Sequence, residues 1–280
     1  MPGGQPPDPL TPEVVPLDAL SLARNLVSWA YILFTCGVVG PPVVLSMILL
    51  YPFGLANRWG DFTVWWWLAG LRWLWRVEVV VDGLEHVGEG QTYVVAANHR
   101  SHLDAVACIL GLRPKLRFGF IVKRMLALIP IWGWFIWLNG YVPVDRGKAT
   151  RRDQLGPAVR YLKRSRSVLV FPEGTRAPGH RFLPFKKGIS VLAIRASVPI
   201  LPVVVSGTLG LLPKWSLFVR PGRVRVEVLP PVSPEGYALD KRDALLAAVK
   251  ASMVPRYRFG ADAPPVGEEP TLLQAVAPRV

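Results

Sequence analysis

Tyr93-Val94-Val95-Ala96-Ala97-Asn98-His99-Arg100-Ser101-His102-Leu103-Asp104 is the stretch from which the rest of the chain is read. Its first five residues form a short apolar run, the pattern of a strand buried on both faces. The run ends abruptly in polar and charged groups, and a helical pattern follows from Asp104 to Leu112. The carboxyl end of a buried strand, where the chain turns into a helix, is where α/β sheets usually place their sites. A histidine and an aspartate on either side of such a turn are able to approach each other. The carboxylate then accepts from one ring nitrogen and leaves the other free to remove a proton. This is the His–Asp half of a serine-hydrolase triad, with the nucleophile left to a hydroxyl of the substrate. The plainer reading of the same turn is a helix cap at Asn98 or Ser101.

Strand and helix patterns alternate on both sides of this turn. Val77 to Gly83 reads as a strand ending in a turn, and Phe118 to Val122, Tyr141 to Val144, Ser167 to Phe171, Ile200 to Val205 and Val224 to Leu229 read as further strands. Residues 150–164 and Lys241 to Met253 carry helical spacing. Such alternation predicts an α/β fold: a mixed, largely parallel sheet flanked by helices, over residues 77–258. Residues 259–280 are rich in Ala and Pro and are expected to be a disordered tail.

The start of the chain is different in kind. Residues 1–20 are Pro-rich and lightly acidic, lack the basic start and cleavage site of a secretory signal, and are expected to form a flexible tail. From Asn25 to Asn57, 33 residues pass without an Asp, Glu, Lys or Arg. A spanning helix needs roughly 20 apolar residues. Gly40-Pro41-Pro42 interrupts this run, so either one kinked span or a re-entrant helix pair is predicted. Six of the eleven tryptophans follow between Trp59 and Trp75, close to Arg58, Arg72 and Arg76. Indole rings favour the headgroup boundary and arginines reach lipid phosphates, which predicts an interfacial helix. Residues 21–76 are therefore read as a membrane-docking or transmembrane helical segment.

The chain has 33 Lys and Arg against 19 Asp and Glu, a net charge of +14. Such a surface attracts anionic lipid or phosphorylated substrates. Nucleic-acid binding would interleave aromatics with the basic residues. Here ten of the eleven tryptophans, all but Trp215, sit in apolar segments, so no nucleic-acid partner is expected. Cys36 and Cys108 suggest neither a disulfide framework nor a metal site.

Three more clusters follow apolar strands. Phe171-Pro172-Glu173-Gly174-Thr175-Arg176 combines a glycine turn with a hydroxyl and a guanidinium, whose planar fork suits phosphate. Val142-Pro143-Val144-Asp145-Arg146-Gly147 places another arginine past a short strand, and Lys186-Lys187-Gly188 adds positive charge. Together they describe a basic site that holds a phosphate monoester while a histidine deprotonates a nearby hydroxyl. The apolar run Met125 to Leu138 reads as the lining of an acyl-chain slot, as core, or as a second membrane contact.

In these residues the sequence resembles the glycerophospholipid acyltransferases, in particular the bacterial 1-acyl-glycerol-3-phosphate acyltransferase family. Four blocks occur in the family's order: Asn98 to Asp104 with the His-x4-Asp spacing, Val142 to Gly147, Phe171 to Arg176, and Val198-Pro199-Ile200-Leu201-Pro202-Val203. The resemblance covers roughly residues 75–230. It implies that His99 is the general base on a free glycerol hydroxyl and that Asp104 orients it. It implies that Arg146, Glu173, Gly174, Thr175 and Arg176 bind the glycerol phosphate. Ser101, Lys186 and Pro199 are additional candidates, with Pro199 and its neighbours shaping the acyl or acceptor pocket. The implied reaction moves a fatty acyl group from acyl-CoA or acyl-carrier protein, as co-substrate, to lysophosphatidate, with no metal and no bound cofactor. Other acceptors in the same superfamily are a lysophospholipid, a lyso-ornithine lipid and glycerol-3-phosphate. Anionic membrane lipids are the expected partner. The basic character after residue 57 and the cytoplasmic origin of thioesters place the catalytic domain on the cytoplasmic face of the inner membrane.

Overall fold

The structure, a computed structural model, describes residues 18–144, 155–177 and 182–257. The expectations for most of the first 20 residues, for residues 150–154, for the C-terminal tail and for Arg146 therefore lie outside the described residues. Helices α1 (Ala19–Phe34), α2 (Gly40–Leu50) and α3 (Ala56–Trp75) precede strand β1 (Val77–Asp82). Then come β2 (Val94–Ala97), α4 (Leu103–Leu112), β3 (Phe118–Lys123), α5 (Trp132–Leu138), β4 (Val142–Val144), α6 (Gly156–Lys163) and β5 (Ser167–Val170). The chain continues through α7 (Gly188–Ala196), β6 (Ile200–Ser206), the short α8 (Thr208–Leu211), β7 (Gly222–Val228) and α9 (Arg242–Met253).

The seven strands form one sheet in the order β1-β7-β6-β2-β5-β3-β4. All neighbours are parallel except β6 and β7. This is the mixed, largely parallel sheet that the alternation of elements predicts. Strand β2 lies at its centre, and its residues serve two cores in turn. Tyr93, Val95 and Ala97 pack with Leu103, Ala107 and Leu112 of α4, while Val94 and Ala96 pack with Leu192 of α7 and Leu245 of α9. A strand's period of two sends alternate side chains to opposite faces, so an unbroken apolar run is what a doubly covered central strand requires.

The N-terminal helix continues across Gly40-Pro41-Pro42. From Ala19 to Phe53 the chain is one helical run. Thr35–Val39 is a π-helical turn, and the Gly40 N–H bonds to the Thr35 carbonyl five residues back. The prolines enter directly after this widened turn, which re-pairs the backbone where two N–H donors are missing. The run is long and apolar enough to cross a membrane.

Its sidedness is inverted relative to a soluble amphipathic helix. Ser21, Asn25 and Ser28 are buried, whereas Leu20, Leu22, Leu26, Val27 and Leu33 are exposed. The polar face is used for hydrogen bonds to the rest of the protein. Asn25 brackets Val219, donating to its carbonyl at 2.9 Å and accepting from its N–H at 2.7 Å. Three tryptophans of α3 donate to hydroxyls of the long helix: Trp59 to Ser46, Trp67 to Thr35 and Trp75 to Ser28, at 2.8–2.9 Å. Trp66 and Trp73 face outward.

Candidate active site

Strand β2 ends at Ala97, and Asn98 ties that end to β6 by a two-way bond: its Nδ2 donates to the Val205 carbonyl and its Oδ1 accepts from the Val205 N–H. The next residue, His99, therefore starts from a fixed point. Its Nδ1 is 3.0 Å from Asp104 Oδ2. Its ring stacks on Phe171, with centroids 4.0 Å apart and an interplanar angle of 17°. The histidine side chain is 16% exposed and the aspartate is fully buried.

Asp104 belongs to the first turn of α4, where an anion is favoured by the free N–H groups. Its Oδ2 accepts from the backbone N–H of Arg100 at 2.5 Å and of Ser101 at 2.7 Å, besides His99. Its Oδ1 accepts from the Thr208 hydroxyl at 2.5 Å. A buried carboxylate with four donors is fixed in place. It orients the imidazole, so the pair expected from the spacing is present as a bonded unit. Thr208, from a four-residue helix 104 positions downstream, is a supporting residue that the sequence reading misses.

The Phe171-to-Arg176 turn packs directly against this unit. The Ala177 N–H donates to the His99 carbonyl at 2.9 Å, and the His99 N–H donates to Glu173 Oε1 at 3.0 Å. Gly174 has φ +72, a conformation that favours glycine, and a Cβ there would lie 2.6 Å from Lys186 Nζ. The Lys186 ammonium thus lies over the turn. Thr175 is exposed, and Arg176 reaches across to the Lys214 carbonyl at 2.9 Å. Arg176 also acts on His102, whose pKa is lowered first by burial, then by Arg176 and His99. Arg176, Lys186 and His99 are accordingly parts of one region.

Three candidates take other roles. Glu173 is buried, and both carboxylate oxygens face protein: Oε1 takes the His99 N–H, and Oε2 takes Arg100 Nη1 at 2.7 Å and the Leu183 N–H at 2.9 Å. It is a brace for the His99 segment rather than a group turned toward a ligand. Ser101 is likewise buried, donating to the Leu212 carbonyl and accepting from the Leu103 N–H. Pro199 lies at the wrong end of the sheet. Its carbonyl accepts from the Val94 N–H at the start of β2, and His99 is five residues further on, roughly 16 Å along a strand. It shapes no pocket at the histidine.

Arg100, which the sequence reading leaves without a role, is the largest fully buried side chain. It pairs with Glu173, donates from Nε to the Tyr257 hydroxyl at 3.0 Å, and lies over both the Phe182 and Tyr257 rings, which pack edge to face on each other.

An apolar cavity of about 590 Å³ opens beside the start of α4, next to Asp104. Ala105, Val106 and Ile109 of α4 line one wall, and Phe120, Phe135 and Trp67 line others. The run Met125 to Leu138 is divided: Ile136 and Leu138 are buried in the core, and most of the other residues either line this cavity or are exposed. Leu126, Ile129, Ile131, Trp132 and Phe135 line the cavity, while Met125, Leu128, Trp134 and Trp137 are strongly exposed.

A mixed, largely parallel α/β sheet thus carries a carboxylate-held imidazole beside a basic turn and an apolar cavity. Residues 78–206 match the family model Acyltransferase. The 1-acyl-sn-glycerol-3-phosphate acyltransferase alpha of Mus musculus is 38% identical over 196 residues, covering 68% of this chain and 67% of that one. The 1-acyl-sn-glycerol-3-phosphate acyltransferase of Limnanthes alba is 32% identical over 232 residues, covering 80% and 78%. The crystal structure of the 1-acyl-sn-glycerophosphate (LPA) acyltransferase PlsC from Thermotoga maritima superposes with a TM-score of 0.67 at 29% identity, covering 82% of this chain and 95% of that chain. The chain belongs to the 1-acyl-sn-glycerol-3-phosphate acyltransferase family.

Proposed function

We propose that the protein acylates the free glycerol hydroxyl of lysophosphatidate, giving phosphatidate, with acyl-CoA or acyl-carrier protein as the donor. The observation that carries this reading is the His99–Asp104 bond beside a turn crossed by Lys186 and Arg176. With Nδ1 donating to Asp104, Nε2 is the acceptor. It takes the hydroxyl proton as the oxygen attacks the thioester carbonyl. The tetrahedral intermediate collapses with cleavage of the C–S bond, and the imidazolium returns the proton to the leaving thiolate. Asp104 stabilises the imidazolium in between. The two hydroxyls bonded around the catalytic turn, Ser101 and Thr208, are engaged with Leu212 and Asp104, consistent with the attacking hydroxyl coming from the substrate. Arg176 and Lys186, with the Gly174-Thr175 turn and Arg146, supply the phosphate site on this reading, and no metal or bound cofactor takes part.

The inverted long helix supports residence at a membrane. Its apolar face points away from the protein, and its polar face is paired inside. The +14 charge and the cytoplasmic supply of thioesters favour the cytoplasmic face of the inner membrane.

The test is acyl transfer by the purified full-length protein, with lysophosphatidate, a lysophospholipid, a lyso-ornithine lipid and glycerol-3-phosphate offered in turn and products identified by mass spectrometry. Phosphatidate as the dominant product is expected. Free fatty acid formed at the same rate with and without acceptor would instead mark a thioesterase, and preference for an acceptor without a phosphate monoester would move the substrate elsewhere in the superfamily. Arg176→Ala is expected to raise KM for lysophosphatidate roughly tenfold, with little change for the thioester, since a charged hydrogen bond is lost on one substrate only.

The cavity gives a second expectation. Ile109→Phe places an aromatic ring in the slot one turn beyond Ala105. Competition between long and short acyl-CoA should then shift roughly tenfold toward the short chain, because losing the burial of one or two methylenes costs about 1–2 kcal/mol.

A further inference from the structure

The loop between α8 and β7, residues 212–221, joins the catalytic turn to the long helix. On the catalytic side, the Leu212 carbonyl accepts from Ser101 Oγ at 2.7 Å and the Lys214 carbonyl accepts from Arg176 Nη1 at 2.9 Å. On the other side, the Leu217 carbonyl accepts from Trp29 Nε1 at 3.1 Å, and Val219 is bracketed by Asn25. A Ser216 hydroxyl bridge to the Phe218 N–H and carbonyl tightens the tip. The backbone is thus held from both sides, while the side chains at the tip are outside. Trp215 is 86% exposed and Leu217 is 66% exposed. Trp215 is also the one tryptophan outside the apolar segments. Lys214 places its ammonium 5.5 Å from the Trp215 ring, and Arg220 follows on the same loop.

Holding an indole and a leucine in water is unfavourable, and among the described residues neither has a neighbour that buries it. An indole and an isobutyl group flanked by cations match the boundary between headgroups and acyl chains. The surface continuous with this loop is the apolar outer face of α1, where Leu22, Leu26, Val27 and Trp29 are exposed next to the residues that hold the loop.

The geometry points to the loop as an interfacial wedge: Trp215 and Leu217 enter an anionic lipid leaflet, Lys214 and Arg220 meet its phosphates, and the entrance to His99 is seated on the leaflet so that the lipid acceptor moves in laterally. This rests on the lysophosphatidate reading for its last step and on lipid contact alone for the rest.

Two experiments on the full-length protein separate those parts. In the first, Trp215→Cys is combined with Cys36→Ser and labelled with bimane. Burial holds the Cys108 thiol protonated and keeps it out of the reaction. Vesicles of phosphatidylethanolamine and phosphatidylglycerol carrying doxyl-labelled chains should quench the bimane and shift it to the blue. An unquenched label on vesicle-bound protein overturns the proposal, as does a label that responds to acyl-carrier protein and not to lipid. In the second, Trp215→Ser/Leu217→Ser is assayed with lysophosphatidate embedded in vesicles and with a short-chain lysophosphatidate dissolved as monomers. KM should rise about tenfold for the embedded substrate and stay unchanged for the dissolved one. Equal losses on both would make the loop a support for Arg176 and overturn the wedge. If the wild-type protein acylates neither substrate, the lysophosphatidate reading fails while the quenching result still decides the wedge.

Discussion

His99→Ala is expected to lower kcat for acyl transfer by roughly 10²–10⁴-fold, the usual contribution of a positioned general base, while leaving the fold intact. The imidazole is partly exposed and its lost contacts are the Phe171 stack and one bond to Asp104. The backbone around it stays fixed by the Asn98–Val205 pair, by Glu173 and by Ala177, none of which uses the side chain. Circular dichroism and vesicle binding should match the unaltered protein, and kcat should carry the loss. Asp104→Asn is the graded control. Its oxygen can keep the three N–H donors, and its amide can donate to Thr208, whose hydroxyl rotates to accept. The turn survives but the negative charge opposite the imidazolium is gone. A loss smaller than that of His99→Ala, and no change in thermal stability beyond a few degrees, is expected. Transfer by His99→Ala within tenfold of the unaltered rate would remove His99 from the role of base.

The His99 site was legible because its signal is local. An apolar run of one strand's length, a turn and a helix fix where residues 99 and 104 lie relative to each other, whatever the rest of the chain does. The sheet was legible for a similar reason: fully buried parallel strands are short, unbroken apolar runs. What failed depended on direction or on distance in sequence. A motif containing Pro199 says that a strand follows, but not that the proline lies at the end of β2 away from His99. The string Glu173-Gly174-Thr175-Arg176 does not say which side chains face in. The acidic one, next to a buried arginine, turned inward, and Arg176 reached across the site. Thr208 sits in a four-residue helix after Gly207, with no periodicity to announce it. Helix α7 went unread because Ile189, Val191 and Ile194 are β-branched and its first turn holds no acidic residue. At Gly40-Pro41-Pro42 the sequence leaves one kinked span and a re-entrant pair both open, because two missing donors do not say that a π-helical turn carries the helix onward.

The inward turn of Glu173 has the second large consequence. Glu173→Ala is expected to destabilise the protein by about 3–5 kcal/mol, because it leaves the Arg100 guanidinium buried without its counter-ion. Arg100 and Glu173 side chains are 1% and 0% exposed, and Arg100 Nη2 has no bonding partner among the described residues. The Tyr257 hydroxyl and two aromatic faces do not replace a carboxylate. For a chain of this size the drop in Tm is roughly 6–20 °C, measurable by thermal unfolding in detergent. Removing both charges together separates the brace from a ligand contact. Arg100→Met/Glu173→Gln leaves no unpaired ion, so much of the stability should return even though one charged residue of the conspicuous motif is absent. The restored protein should then bind lysophosphatidate with an unchanged KM. If Glu173 were instead a contact to the glycerol phosphate, the double variant would stay stable but lose affinity for the acceptor, and Glu173→Ala alone would raise KM without lowering Tm.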